Sequence, residues 1–370
     1  MAIPLQGRPT MTEPAWWQSR LESLPSSLES APFGDWRSAD QATWGLASPA
    51  LKLEQQAFSS PIPAAGPEVS GSRMDRDPIT GRALATITFS RFDGTSGHVF
   101  SIRPDGSNEQ QLTHEPGVQA HSSWAPNGRF LVYSQVDAQG STVRALRTGT
   151  KQSRRISGSL TWSMVPHVSP DSRTIAFTSN NDGNYEIYTA KRNGSNIRQL
   201  TFSEASVQYV GPKYSPNGKL LLFASDREEP DPANQQDLWT MPSGGGSLRR
   251  LTNGLNNRES RSWSPDGRRI VSQTLIDGVG QIVVMDADGG HQRQITAIPN
   301  STPVFSPGGI FPDMRGAVTP AWSPNGRWIA FASNHRGNYD LYRIRPDGTG
   351  LRRILKSPEH ELSVGWGPRR

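Results

Sequence analysis

One short element recurs along this 370-residue chain and constrains its fold more than any other feature: an aromatic or apolar residue, then Ser-Pro-Asn/Asp-Gly or a close variant. It appears as Trp124-Ala-Pro126-Asn-Gly128, Val168-Ser-Pro170-Asp-Ser172, Tyr214-Ser-Pro216-Asn-Gly218, Trp263-Ser-Pro265-Asp-Gly267 and Trp322-Ser-Pro324-Asn-Gly326. A shortened copy, Trp366-Gly-Pro368, ends the series. Successive prolines stand 44, 46, 49, 59 and 44 residues apart. Self-similarity at such a period means one supersecondary unit per repeat, each burying its apolar face against the next.

Each unit reads as four short strands. The first ends in the aromatic before Ser-Pro. Pro-Asn/Asp-Gly then makes a tight turn: Pro sets φ, the Asx side chain bonds local backbone, and Gly takes positive φ. The second strand is apolar, as in Thr174-Ile-Ala-Phe177, Leu220-Leu-Leu-Phe223 and Trp328-Ile-Ala-Phe331. The third is Asn184-Tyr-Glu-Ile-Tyr188 or Asn338-Tyr-Asp-Leu-Tyr342, and the fourth ends in Gln199-Leu-Thr201, Arg250-Leu-Thr252 or Gln294-Ile-Thr296. Four antiparallel strands repeated in this way predict an all-β propeller. The ends set the expected count. Residues 83–113 supply strands two to four of a unit, and Ser363-Val-Gly-Trp-Gly-Pro368 supplies a first strand with nothing after it. Joining them predicts a six-bladed ring over 73–370, closed by the C-terminal strand so that no sheet edge is left open.

The Trp-Ser-Pro-Asp/Asn-Gly…Ile-Ala-Phe…Tyr-Asp/Glu-Ile/Leu-Tyr…Asp-Gly…Leu-Thr pattern resembles the TolB-type, WD40-like PD40 β-propeller repeat. The resemblance covers about four fifths of the chain. It implies a six-bladed propeller and a protein-binding adaptor, and it assigns the repeated aromatic and turn residues to structure. The chain departs from the family pattern in its first 72 residues, which show no βα alternation.

Those 72 residues have a different character. They carry four basic and seven acidic residues, a net −3, against 35 and 26, or +9, in the remaining 298. Prolines interrupt them throughout, so they read as an extended arm. A short helix is predicted near 13–24: Thr12 caps it, Pro14 sits in its first turn, and Trp17, Leu21 and Leu24 share one face. Together with Trp16, Phe33, Trp36, Trp44 and Phe58, these apolar side chains either fold back on the ring or anchor another protein.

Two longer connections also depart from the repeat. Residues 226–236 extend a link between second and third strands, and 297–318 extend an interblade link with Phe305, Ile310, Phe311 and Met314. Both are expected on one face, where loop variation on a rigid scaffold carries recognition. The apolar quartet fits equally a loop packed over the channel mouth.

Chemistry is poorly represented. The chain has no Cys, no Gly-x-Ser-x-Gly elbow and no His-Glu-x-x-His, since His114-Glu and His360-Glu lack the second His. No cofactor is expected. His121 and His167 fall near the ends of inner first strands and read as hydrogen-bonded structural groups before metal ligands. Asp93 and Asp182, in Gly-containing loops, could help hold a cation but lack a full ligand set. The pairs Lys151/Arg154/Arg155, Arg249/Arg250, Arg268/Arg269 and Arg352/Arg353 read as outer-edge charges. Without interleaved aromatics they do not suggest nucleic acid. No 18-residue apolar run is present, and Pro and charge occupy the first 17 residues where a secretory signal needs apolar ones. The expectation is a cytoplasmic, non-catalytic scaffold, peripheral on a large or membrane-associated complex, whose partners are proteins, with acidic subunits favoured by the basic ring. A basic linker among acidic antenna proteins is one example. The alternative is a propeller hydrolase or lyase with a site in the central channel.

Overall fold

The Ser-Pro-Asx-Gly element makes the same turn at each occurrence. At Ser264–Arg269, the Ser264 carbonyl accepts the Gly267 N–H (2.9 Å), and the Asp266 carboxylate accepts the Arg268 N–H (3.1 Å). The Ser264 hydroxyl accepts the Arg269 N–H (2.9 Å), which starts the next strand. Ser169, Ser215 and Ser323 do the same for Thr174, Leu220 and Trp328. Gly267 has φ 70°, a conformation that is cheap only without a Cβ.

The computed structural model describes residues 86–203, 207–227, 236–254, 260–299 and 316–368. Among them the regular structure is entirely β. The strands are β1 (Ile87–Phe92), β2 (Gly97–Ile102) and β3 (Gln110–Gln111), then β4 (Val118–Trp124), β5 (Phe130–Asp137), β6 (Gly140–Arg147) and β7 (Ser153–Arg155). Next come β8 (Ser163–Val168), β9 (Thr174–Ser179), β10 (Glu186–Lys191) and β11 (Arg198–Gln199). A further set is β12 (Tyr209–Tyr214), β13 (Leu220–Ser225), β14 (Asp237–Pro242) and β15 (Arg249–Arg250). It is followed by β16 (Arg261–Trp263), β17 (Arg269–Ile276), β18 (Val279–Asp286) and β19 (Arg293–Gln294). Last are β20 (Ala317–Trp322), β21 (Ile329–Ser333), β22 (Asp340–Ile344), β23 (Arg352–Leu355) and β24 (His360–Trp366).

β8–β11, β12–β15, β16–β19 and β20–β23 are four separate four-stranded antiparallel sheets. The other eight strands form one sheet, in which β24-β1-β2-β3 and β4-β5-β6-β7 are joined by a single parallel bridge between Gly97 and Val118. Similar parallel bridges, Ser141 to Trp162 and Gly280 to Gly316, link other neighbouring sheets. The last strand pairs with the first: Ile87 faces Trp366 and Phe92 faces His360. β4 lies against β8, β8 against β12, β12 against β16, β16 against β20, β20 against β24, and β24 against β4. The chain is thus a β-propeller of four-stranded antiparallel blades whose first strands surround a common axis.

Apolar residues are buried between blades. Leu222 and Leu238 of one sheet pack with Trp263, Ile270 and Val283 of the next. Val271 and Ile282 meet Trp322, Ile329 and Phe331 in the same manner, and Val132 and Val143 meet Val168, Ile175 and Phe177. Each buried large side chain contributes about 1.5–3 kcal/mol, so the repeated aromatic secures one blade to the next. The turns also interlock: a Cβ on Gly128 would sit 3.5 Å from Pro368, bringing the end of the chain against the first complete repeat.

The fourth strands are shorter than the repeat predicts. Pairing stops at Gln199 or Arg250, before Leu-Thr. The Thr hydroxyl explains the stop, because it replaces a carbonyl as acceptor: Thr201 takes the Ile187 N–H (2.9 Å), Thr252 that of Leu238 (2.9 Å) and Thr296 that of Ile282 (2.8 Å).

Candidate functional site

The polar groups that recur from blade to blade are tied into the framework. Each of these Thr hydroxyls donates in turn to the acid or amide that opens the third strand: Thr201 to Glu186, Thr252 to Asp237 (2.7 Å) and Thr296 to Gln281 (2.9 Å). Asp237 also receives Arg250 (2.5 Å), and Asp340 receives Arg353 (3.4 Å). The Tyr188 hydroxyl donates to Asp182 (2.9 Å), and burial and Asp182 push its pKa up. Asp93 accepts the backbone N–H groups of Thr95 (2.9 Å) and Ser96 (2.7 Å). Partial burial raises its pKa, but the bonds from Ser96 and Thr95 win and hold it down to about 2. Both loop aspartates proposed as cation ligands therefore organise their own loops. Among the described residues no three His, Cys, Asp or Glu side chains are grouped to hold a metal ion.

The basic clusters divide between edge and interblade roles. Arg155 donates to the Leu160 carbonyl (2.7 Å), and Arg154 reaches the Arg192 carbonyl in the next blade. Arg293 makes a similar crossing to the Asp347 carbonyl (3.0 Å). Arg269 lies over the Trp322 ring at 4.9 Å.

The first strands are the irregular ones. Five carry a left-handed residue three positions before their last residue: His121 (φ 52°), Val165 (51°), Gly211 (63°), Thr319 (51°) and Ser363 (54°). At each, the pairing register shifts, as between Ala120 and Ser123, Met164 and His167, and Val210 and Lys213. Bulges of this kind redirect side chains. The residue just before the strand end then often accepts the next first strand's N–H: Ser123 from Val168 (3.4 Å), His167 Nδ1 from Tyr214 (3.1 Å) and Ser262 from Trp322 (3.5 Å). His167 is therefore a structural acceptor.

Four basic side chains converge here: His121, His167, Lys213 and Arg261. Burial, then the Lys213 charge, pulls His121 down to about 4 and His167 well below the ordinary imidazole value. Burial, then Arg261, lowers Lys213 to about 8. Arg261 is buried and donates to the Val210 carbonyl (2.9 Å). Lys213 and Arg261 escaped the sequence reading, although the repeat alignment puts Lys213 where other units have Ser, His or Ala.

A second feature appears only through ring closure. Glu361 of β24, fully buried, accepts Arg91 Nε of β1 (3.0 Å) and the Ser357 hydroxyl. Burial outweighs both contacts and pushes its carboxyl up to about 7.

On the Ser-Pro-Asx-Gly face, a groove of about 490 Å³ runs between the β8–β11 and β12–β15 sheets, lined in part by Pro170, Asp171, Lys191, Arg198, Tyr214 and Asn217. The apolar anchors expected from sequence lie outside the described residues: Trp16, Trp17, Leu21, Leu24, Phe33, Trp36, Trp44 and Phe58 of the arm, with its helix, and Phe305, Ile310, Phe311 and Met314 of the long connection. Among the described residues no helix is long and apolar enough to cross a membrane.

No family model matches the chain. It is 31% identical over 143 residues to an uncharacterized protein of Agrobacterium fabrum, covering 39% of this chain and 42% of that one. It is 27% identical over 153 residues to the Tol-Pal system protein TolB of Nitratidesulfovibrio vulgaris, covering 40% and 34%. These matches span less than half of either relative. The crystal structure of TolB from Acinetobacter baumannii superposes with a TM-score of 0.63 at 19% identity, over 79% of this chain and 69% of that one.

Proposed function

Because this chain is a TolB-like β-propeller, we propose that it is a non-catalytic protein-interaction scaffold. The observation that carries this reading is the structural use of its recurring polar groups: the third-strand acids, the Leu-Thr hydroxyls and the outer arginines bond within or between blades. That leaves the connections around 226–236 and 297–318 and the groove beside Tyr214 as the parts that differ from blade to blade. The eight-stranded sheet counts in this reading as two blades of a six-bladed ring closed by β24. Support comes from the closed series of first-strand contacts. Residues 1–72 form an arm that engages a larger assembly, with Trp16, Trp17, Leu21, Leu24, Phe33, Trp36, Trp44 and Phe58 as anchors. The ring's +9 against the arm's −3 favours acidic protein surfaces for the ring. A relative named for the Tol-Pal system makes an envelope complex of that kind the first place to look for partners.

The test is a pull-down of the tagged full chain under native conditions with mass spectrometry, beside a chain lacking residues 1–60. Reproducible protein partners that are lost on truncation are expected. Identical partners in both refute the arm's role, and no enriched partner for the full chain refutes the scaffold.

A further inference from the structure

We propose that Lys213, flanked by His121 and His167, forms a binding site for a small oxyanion in the central channel, independent of the docking surfaces above. The first ground is a break in a repeating bond. Just before the end of each first strand, Ser123, His167 and Ser262 accept the backbone N–H of the following strand. Lys213 holds the equivalent place in β12. An ammonium has three donors and no acceptor, so it cannot take that role. The Trp263 indole donates instead to the Lys213 backbone carbonyl (3.3 Å). Among the described residues the Lys213 side chain makes no hydrogen bond or ion pair. A half-buried ammonium without either is costly to keep, and nothing in the blade framework requires it.

The second ground is what surrounds it. His121 and His167 come from the two preceding first strands, β4 and β8. Tyr214 donates to His167 Nδ1 (3.1 Å), which leaves the proton of a neutral imidazole on Nε2 as a donor. Arg261 follows from β16, its guanidinium held against Gly211, where an added Cβ would stand 2.4 Å from Nη2. At the position of Lys213, the remaining first strands present Ser123, Ser262, Ala321 and Gly365. The long donors thus sit on one side of the axis and small residues on the other.

The electrostatics select the sign of the ligand. Lys213 depresses both imidazoles and is itself depressed by Arg261. A cation would add to this repulsion, whereas an oxyanion relieves it and accepts hydrogen bonds from the ammonium and an imidazole N–H. The site therefore suits phosphate or a small carboxylate.

The test uses the full chain with inorganic phosphate and acetate as probes, read by calorimetry and by the imidazole C–H resonances of His121 and His167. Saturable uptake of either probe is expected, with a rise in the apparent pKa of His121. The tighter of the two identifies phosphoryl or carboxylate chemistry. Lys213→Met should weaken that uptake about tenfold or more, while Lys213→Arg, which keeps the charge, should retain it. Should Lys213→Met fail to fold, His121→Gln takes its place, with a several-fold loss expected. No saturable uptake in the unmodified chain, or equal uptake after loss of the Lys213 charge, overturns the site.

Discussion

Replacing Thr252 with Val tests whether the Leu-Thr repeat holds each blade through its hydroxyl. The two side chains have nearly the same shape, so packing is kept and two bonds are removed. Thr252 is buried, accepts the N–H of fully buried Leu238 (2.9 Å), and donates to Asp237 (2.7 Å). A buried N–H left without an acceptor costs about 1–3 kcal/mol. The lost bond to Asp237 costs less than a charged bond usually does, because Arg250 and the Gly254 N–H still hold that carboxylate. The expected loss is about 2–4 kcal/mol in all. Thr252→Ser keeps the hydroxyl and should lose only about 1 kcal/mol for its methyl group. Urea unfolding of both variants measures the difference, and amide exchange at Leu238 locates it. Equal stability of the Val and Ser variants, or unchanged protection at Leu238, refutes the reasoning.

Glu361 provides a pH test. Its folded pKa, near 7, lies above the ordinary carboxylate value of 4.5, so its contribution to stability is complete below about 4.5 and is lost as pH rises through 7. Glu361→Gln should flatten that fall, and parallel denaturation profiles across this window would falsify the assignment. Gly211→Ala puts a Cβ 2.4 Å from Arg261 at φ 63°, and should destabilise the ring by about 1–3 kcal/mol. Gly244→Ala, where no atom lies within 4 Å, should be close to neutral in the same thermal assay.

Much of the fold was legible in the chain because a propeller is built from local signals. Ser264-Pro-Asp-Gly267 encodes its own turn, since every bond in that turn closes within six residues. The apolar run Leu220–Phe223 and the spacing of the prolines then dictate strands and blades. The candidate sites were less legible. His121 and His167 were recognised as inner-strand residues, but their neutrality depends on burial and on Lys213, which is 92 and 46 residues away along the chain. Glu361 and Arg91 meet across 270 residues, so no local pattern links them. The Leu-Thr hydroxyl was read as the end of a strand. Its second role, bonding the acid of the preceding strand, requires the two strands to be paired first.

By itself, then, the sequence determined an all-β chain of repeated four-stranded units, a propeller architecture, and an arm opposite in charge to the ring. These follow from turn chemistry and hydrophobic period, which act over a few residues. Only the tertiary structure decided which polar groups remain as framework and which stand apart from it. That distinction arises at the axis, where bulged first strands from separate blades bring Lys213, His121, His167 and Arg261 within range of one another's charges. Burial there weakens the screening that water provides at the surface, so side chains distant in sequence set one another's protonation.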